Sequence, residues 1–152
     1  MTPSKARKPP RSRSTSVSAI RLRPVGFVRS SLRTRRDAPR FYTEGAPEAF
    51  LEIKPEYRRS LLRIVPGDAL IVITWLHLAH RGVQTTFPED DHSRPRTGVF
   101  RTRSPDRPNP LGLHRCKVLE VRRNGLRIDA IEAIDGTPVV DIKCVVREAN
   151  DS

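Results

Sequence analysis

The chain has few thiols and no long apolar run. Cys116 and Cys144 are its two cysteines, too few to build a metal cluster alone and no sign of a secreted disulfide scaffold. The longest apolar stretch, Leu70 to Leu76, is interrupted by Thr74 and followed by His77, far short of the roughly 20 residues of a spanning helix. The basic N-terminus lacks the apolar h-region of a secretory signal, so a cytoplasmic protein is the expectation. The eight glycines never form GxGxxG or a Walker loop, which gives doubly wound nucleotide binding no support. No serine sits in GxSxG, and neither cysteine has a motif around it, so both read as small core residues. His77 and His80, three apart on an expected strand, would face opposite sides. The acids of Asp90-Asp91-His92 read as solvated loop residues, and no metal site is expected.

Positive charge is present in excess. The 152 residues carry 29 Lys+Arg against 17 Asp+Glu, a net charge of +12. Residues 1–23 hold seven positives and no acid, leaving +5 on the remainder. This Pro/Ser/Arg-rich segment has almost nothing apolar to pack before Ile20, so it reads as a disordered basic tail, an arm attractive to phosphates, or both. Residues 24–147 form the expected domain, followed by a short tail, 148–152. A second basic run, Arg29, Arg33, Arg35, Arg36 and Arg40, lies inside the domain.

The pattern is mostly strand. Val25–Val28, Ala49–Ile53, Asp68–His80 and Gly98–Phe100 have strand character, the third nearly continuously apolar and therefore central. Residues 29–47 read as a long loop, of the kind that is usually functional. Residues 55–62 read as one short helix, with Pro55 at its start and a stop near Pro66-Gly67. Leu113–Arg123 and Leu126–Ala130 form a hairpin joined by Asn124-Gly125, a type I′ signal. Asp135-Gly136-Thr137-Pro138 turns into Val139–Lys143. Short strands with tight turns suggest a small β-barrel or sandwich.

One segment is denser in chemistry than a linker. Residues 101–113 read RTRSPDRPNPLGL, where Pro105, Pro108 and Pro110 fix φ and push Ser104, Arg107 and Asn109 into extended conformations. The result is a stiff loop without a regular hydrogen-bond ladder that presents Arg103, Asp106, Arg107 and Asn109 as a preorganised polar binding surface.

At this loop, from Gly98 to His114, and again at Asp135-Gly-Thr-Pro-Val-Val-Asp-Ile-Lys-Cys-Val145, the sequence resembles the TsaA/TrmO family of small β-barrel, S-adenosylmethionine-dependent tRNA methyltransferases. Val25-Gly-Phe-Val-Arg-Ser30, Pro39-Arg40-Phe41 and Trp75-Leu-His77 resemble its upstream motifs in the same order, so the likeness covers residues 24–147. The resemblance implies a mainly all-β fold: a small closed β-barrel with one short helix and long functional loops. It implies S-adenosylmethionine as cofactor, bound among loops of a homodimer, and tRNA as partner, with N6-methylation of N6-threonylcarbamoyladenosine beside the anticodon. Carried over by motif, Pro39, Arg40, Phe41, His77, Leu78, Arg103, Leu113, Asp135, Gly136, Thr137 and Pro138 would surround the donor. Arg107, Asn109, Asp141 and Lys143 would lie toward the substrate, and no catalytic base is assigned.

The residue types suit methyl transfer, an in-line displacement in which the protein mainly orients two reactants. Arg103 is expected to pair with the donor's carboxylate, and Asp135 is one candidate for a carboxylate near its sulfonium. The chain departs from the family pattern at Arg101, Phe41, His114, Cys144 and Val145. His114 is read as a neutral barrel residue, since strand residues usually pack, with a base that came with a changed substrate as the other reading. Two other functions remain open on sequence: a non-catalytic RNA-binding barrel, and a methyltransferase of the same fold acting on a small molecule.

Overall fold

A computed structural model describes residues 17–146. Residues 1–16 of the basic segment, and 148–152 of the C-terminal tail, lie outside the described residues. The strands are β1 (Gly26–Arg29), β2 (Ala49–Ile53), β3 (Ala69–Trp75), β4 (Thr85–Thr86), β5 (Thr97–Gly98), β6 (Leu111–Arg122), β7 (Gly125–Ile128) and β8 (Pro138–Cys144). Six of them close into an antiparallel barrel in the order β1-β2-β7-β6-β3-β8. The seam is short: Gly26 pairs with Val139 and Phe27 with Pro138. Closure gives every strand of the ring a neighbour on both sides, though the seam pairs only two residues of each strand. β4 and β5 form a separate two-stranded ribbon.

Period-2 alternation drives the packing. Along β6, Gly112, His114, Cys116 and Val118 point inward while Leu111, Leu113, Arg115 and Lys117 point out. β2 buries Ala49, Leu51 and Ile53, and β3 buries Leu70, Val72 and Thr74. With Val28, Leu126, Ile128, Ile131 and Val139 these side chains fill the barrel. The near-continuous apolar character of β3 follows from its place between β6 and β8, where its outward residues Ile71 and Ile73 are half-buried.

Several expectations are sharpened or corrected. The helix over 55–62 is a 3-10 helix, Pro55–Leu61, with the Leu62 N–H donating to the Arg59 carbonyl three residues back. A 3-10 helix reaches further per residue than an α-helix, and this one lays Tyr57 and Leu61 against the core between β2 and β3. β3 ends at Trp75 rather than continuing to His80; Leu76–His80 is a turn. The alternation argument for His77 and His80 therefore does not apply. Residues 99–101 are a 3-10 turn, not strand. In the β6–β7 hairpin Arg122 pairs with Gly125, so Arg123 and Asn124 make the turn, and neither has positive φ. It is not the type I′ turn that Asn124-Gly125 suggests.

The two cysteines also differ from one another. Cys116 is buried and Cys144 exposed, so only the first is a core residue. Both flank Leu70, one on each neighbouring strand. That places them two strand spacings, roughly 10 Å, apart, beyond disulfide reach. Burial, reinforced by the charges of Asp129 and Glu132, pushes the Cys116 thiol up to about 12. Alkylation with iodoacetamide near neutral pH should modify one thiol in the native protein, Cys144, and two in urea. Two fast-reacting native thiols would contradict this packing.

Candidate active site

Three irregular segments leave the barrel near the C-terminal end of β3 and the start of β6: residues 30–48, the turn 76–81, and the proline loop 102–110. They are drawn together by side chains. The Asp106 carboxylate accepts the His80 backbone N–H at 2.8 Å and the Arg35 guanidinium at 3.0 Å. Arg81 donates to the Pro108 carbonyl at 2.8 Å and to Asn109 Oδ1 at 3.3 Å, with its guanidinium over the Trp75 ring. Arg107 donates within the loop to the carbonyls of Ser104 (2.8 Å) and Thr102 (2.6 Å), and just before it to that of Val99 (2.8 Å). One guanidinium thus replaces the ladder that three prolines deny this segment.

Between these loops and the barrel end lies a cavity of about 550 Å³, within the size range of small-molecule and cofactor sites. Of the expected donor-site residues, Pro39, Arg40, Phe41, His77, Leu78, Arg103, Leu113 and Thr137 line it. Asp135, Gly136 and Pro138 are not among the lining residues. Asp135 is occupied elsewhere, its carboxylate accepting the Ser30 N–H at 3.0 Å and pairing with Arg33 at 2.8 Å. Gly136 has φ 80, the left-handed conformation that turns the chain into β8. Of the residues placed toward the substrate, Arg107 lines the cavity with its guanidinium engaged as above, and Asn109 holds Arg81. Asp141 and Lys143 pair with each other at 3.0 Å. Asp141 lines a second cavity of about 360 Å³ at the opposite end of β3, beneath the 3-10 helix.

The wall combines half-exposed apolar groups, Phe41, Tyr42, Leu78, Leu111 and Leu113, with arginines. The side chains of Arg103 and Arg115 make no hydrogen bond or ion pair with the described residues. A flat apolar wall beside free guanidinium groups can hold a ligand that is part ring and part anion.

The cavity floor holds a chain of polar groups that sequence reading did not assemble. His114 Nε2 lies 2.8 Å from Thr74 Oγ1, and Nδ1 lies 2.8 Å from Glu132 Oε1. A carboxylate only accepts, so Nδ1 carries the proton and donates it to Glu132. Gly112 makes the first contact possible, because a Cβ there would come within 2.5 Å of both His114 Nε2 and Thr74 Oγ1. Glu132 lies in the crossing from β7 to β8, fixed by buried Ile131, Ala133 and Ile134. Its Oε2 is buried with no hydrogen-bond partner among the described residues, a deficit that typically costs about 1–3 kcal/mol. The sequence signal for Glu132 was a lone carboxylate inside an otherwise apolar run, Ile131 to Ile134; Arg35, Tyr42 and Leu111 had no such signal.

Burial pushes the Asp106 carboxyl up, but the His80 N–H and the Arg35 guanidinium outweigh it and hold the group below its ordinary 3.8. A lowered carboxyl stabilises above its ordinary value and loses that contribution as pH falls through the lowered one. Asp106→Asn should therefore cost about 1 kcal/mol in urea unfolding and reduce hydrogen-exchange protection at the His80 amide. In the unaltered protein the same loosening should begin only below pH 3.8. Loosening between about pH 7 and about pH 5 would contradict the assignment.

The model of the tRNA-methyltransferase O N-terminal domain matches residues 27–151. A probable S-adenosyl-L-methionine-binding protein of Methanothermobacter thermautotrophicus is 43% identical over 124 residues, covering 82% of this chain and 88% of its own. An S-adenosyl-L-methionine-binding protein of Archaeoglobus fulgidus is 39% identical over 122 residues, covering 80% and 86%. The crystal structure of TrmO from Pseudomonas aeruginosa superposes with a TM-score of 0.68 at 25% identity, covering 91% of this chain and 61% of that one. The chain thus spans about three fifths of the solved TrmO chain it matches. With the family pattern running through the barrel and the loops around its cavity, the chain belongs to the tRNA-methyltransferase O N-terminal domain family.

Proposed function

We propose that the protein is an S-adenosylmethionine-dependent methyltransferase acting on tRNA in the cytoplasm, methylating N6 of N6-threonylcarbamoyladenosine as a homodimer. The observation that carries this reading is the cavity itself: eight residues that match family motifs converge on it, beside a free arginine and a buried carboxylate with an unpartnered oxygen. Family membership and the donor-binding names of the relatives support the same donor.

The residues fit this donor. Arg103, exposed and unengaged among the described residues, offers a bidentate partner to an amino-acid carboxylate. Phe41, Leu78 and Leu113 offer apolar surface to an adenine ring. When bound, the donor would supply a methyl group activated by a sulfonium. The chain's own work is to orient it, exclude water from the floor of the cavity and present the acceptor nitrogen in line. An acylated N6 is easier to deprotonate than an amine, so modest proton acceptance suffices.

Two surface properties support the partners. Arg33, Arg35, Arg36, Arg40, Arg101 and Arg103 cluster in the loops that surround or adjoin the cavity, a positive field suited to the phosphates of RNA. Phe41, Tyr42, Leu78, Phe100, Leu111 and Leu113 remain half-exposed or more in the single chain, and a second copy packed over these loops would cover them.

The test is labelled methyl transfer to bulk tRNA from cells lacking this gene, followed by nucleoside mass spectrometry. Label is expected in one modified adenosine, and Arg103→Ala should weaken donor binding about tenfold or more by calorimetry. No heat with either S-adenosylmethionine or S-adenosylhomocysteine would overturn the reading. Label in a small metabolite without RNA would replace tRNA with a small-molecule acceptor.

A further inference from the structure

We infer that Glu132, held in position by His114, is the counter-charge for a cationic centre of the ligand that occupies the large cavity. This inference rests on the donor-binding reading above and extends it to a specific residue.

The lining carries positive charge out of proportion: Arg35, Arg40, Arg103, Arg107 and Arg115 against two acids, Asp90 and Glu132. Such a wall attracts an anionic ligand and repels a cationic one. A ligand with a positive sulfur or nitrogen needs a carboxylate near that atom to be accepted. Asp90 sits on the exposed loop between the ribbon strands β4 and β5, and Asp135 is consumed by Ser30 and Arg33. Glu132 is the acid the fold places at the cavity floor.

Its environment is built for this. None of the lining arginines pairs with it. Instead Oε1 accepts from His114 Nδ1, and Oε2 has no partner among the described residues. The imidazole is fixed from its far side by Thr74 on β3, in space left by Gly112 on β6. Elements from both strands and from the β7–β8 crossing thus aim one carboxylate. Any unpaired arginine in contact with it would cancel its charge, whereas an imidazole donating through Nδ1 leaves the negative charge standing, with Oε2 buried and unpartnered among the described residues. The groups facing it are His114 and, through His114, Thr74, with the buried Cys116 thiol close enough to respond to its charge. The ligand class that satisfies both ends of the cavity is a zwitterion with a carboxylate for Arg103 and a cationic centre for Glu132. His114 is a positioning residue in this account, because it acts through Glu132.

The experiment compares two ligands that differ in one charge. S-adenosylmethionine carries a sulfonium, and S-adenosylhomocysteine has a neutral thioether at the same place. By calorimetry, Glu132→Gln should weaken S-adenosylmethionine about tenfold and S-adenosylhomocysteine by no more than about twofold. His114→Asn, whose amide still donates to Glu132, should keep the preference that His114→Ala loses. Equal weakening of both ligands by Glu132→Gln would overturn the inference, because a merely structural role moves both. Failure of the unaltered protein to bind either ligand would sink the donor-binding reading instead. Should Glu132→Gln not fold, the unaltered protein decides: sinefungin, with an amine-bearing carbon in place of the sulfonium, is expected to bind more tightly than the neutral thioether. Tighter binding of S-adenosylhomocysteine than of both cationic ligands would overturn the inference.

Discussion

Prolines at 105, 108 and 110 remove backbone donors from one short segment, so the loop that walls the cavity cannot hold its own shape. Its shape is imposed by neighbouring charges. Arg107 gathers two of the loop's carbonyls and that of Val99 just before it, Asp106 ties it to the His80 turn and to Arg35, and Arg81 grips it from the far side. The cavity exists because these contacts bring three separate loops to the same place. The barrel beneath closes its ring through its own strand pairs, with none of these contacts among them. Stability is therefore divided: a rigid apolar cylinder, and a mouth whose local opening costs far less than unfolding the whole.

That division bears on function. The barrel contributes inward-facing positions whose direction cannot drift, and it uses two of them, Thr74 and His114, for polar contacts. The loops contribute the arginines and the apolar wall. A site with a fixed carboxylate below and adjustable arginines above can define one end of a small ligand while admitting a much larger acceptor over the rim. The proposed methyltransferase chemistry asks for this combination, because it joins a compact donor to one nucleotide of a long RNA.

Much of the architecture is legible from residues alone, and the rest fails for specific reasons. β2 occupies Ala49–Ile53 as expected, and the Asp135–Pro138 turn appears where Gly136 needs positive φ. Those signals are local. β3 ends before the apolar character does, because Leu76, Leu78 and Ala79 follow Trp75, and apolarity cannot distinguish a core strand from a cavity wall. Asn124-Gly125 pointed to the correct hairpin but the wrong turn residues, since register is set by the paired strands. Arg107 and Asp135 looked like ligand contacts; their partners, three carbonyls in one case and Ser30 with Arg33 in the other, are set by tertiary approach. His114 faces the barrel interior, as its strand position implied, but its hydrogen bond to Glu132 spans two elements and leaves no mark in local pattern.

The central claim is that ligand binding takes place at the mouth formed by these loops and the start of β6. Amide chemical-shift mapping of the full chain titrated with S-adenosylhomocysteine tests it most directly. The account predicts shifts concentrated at residues 35–42, 76–79, 103–107, 111–115 and 132–137. Shifts centred on the 3-10 helix Pro55–Leu61 and the end of β8, around the smaller cavity, would contradict it.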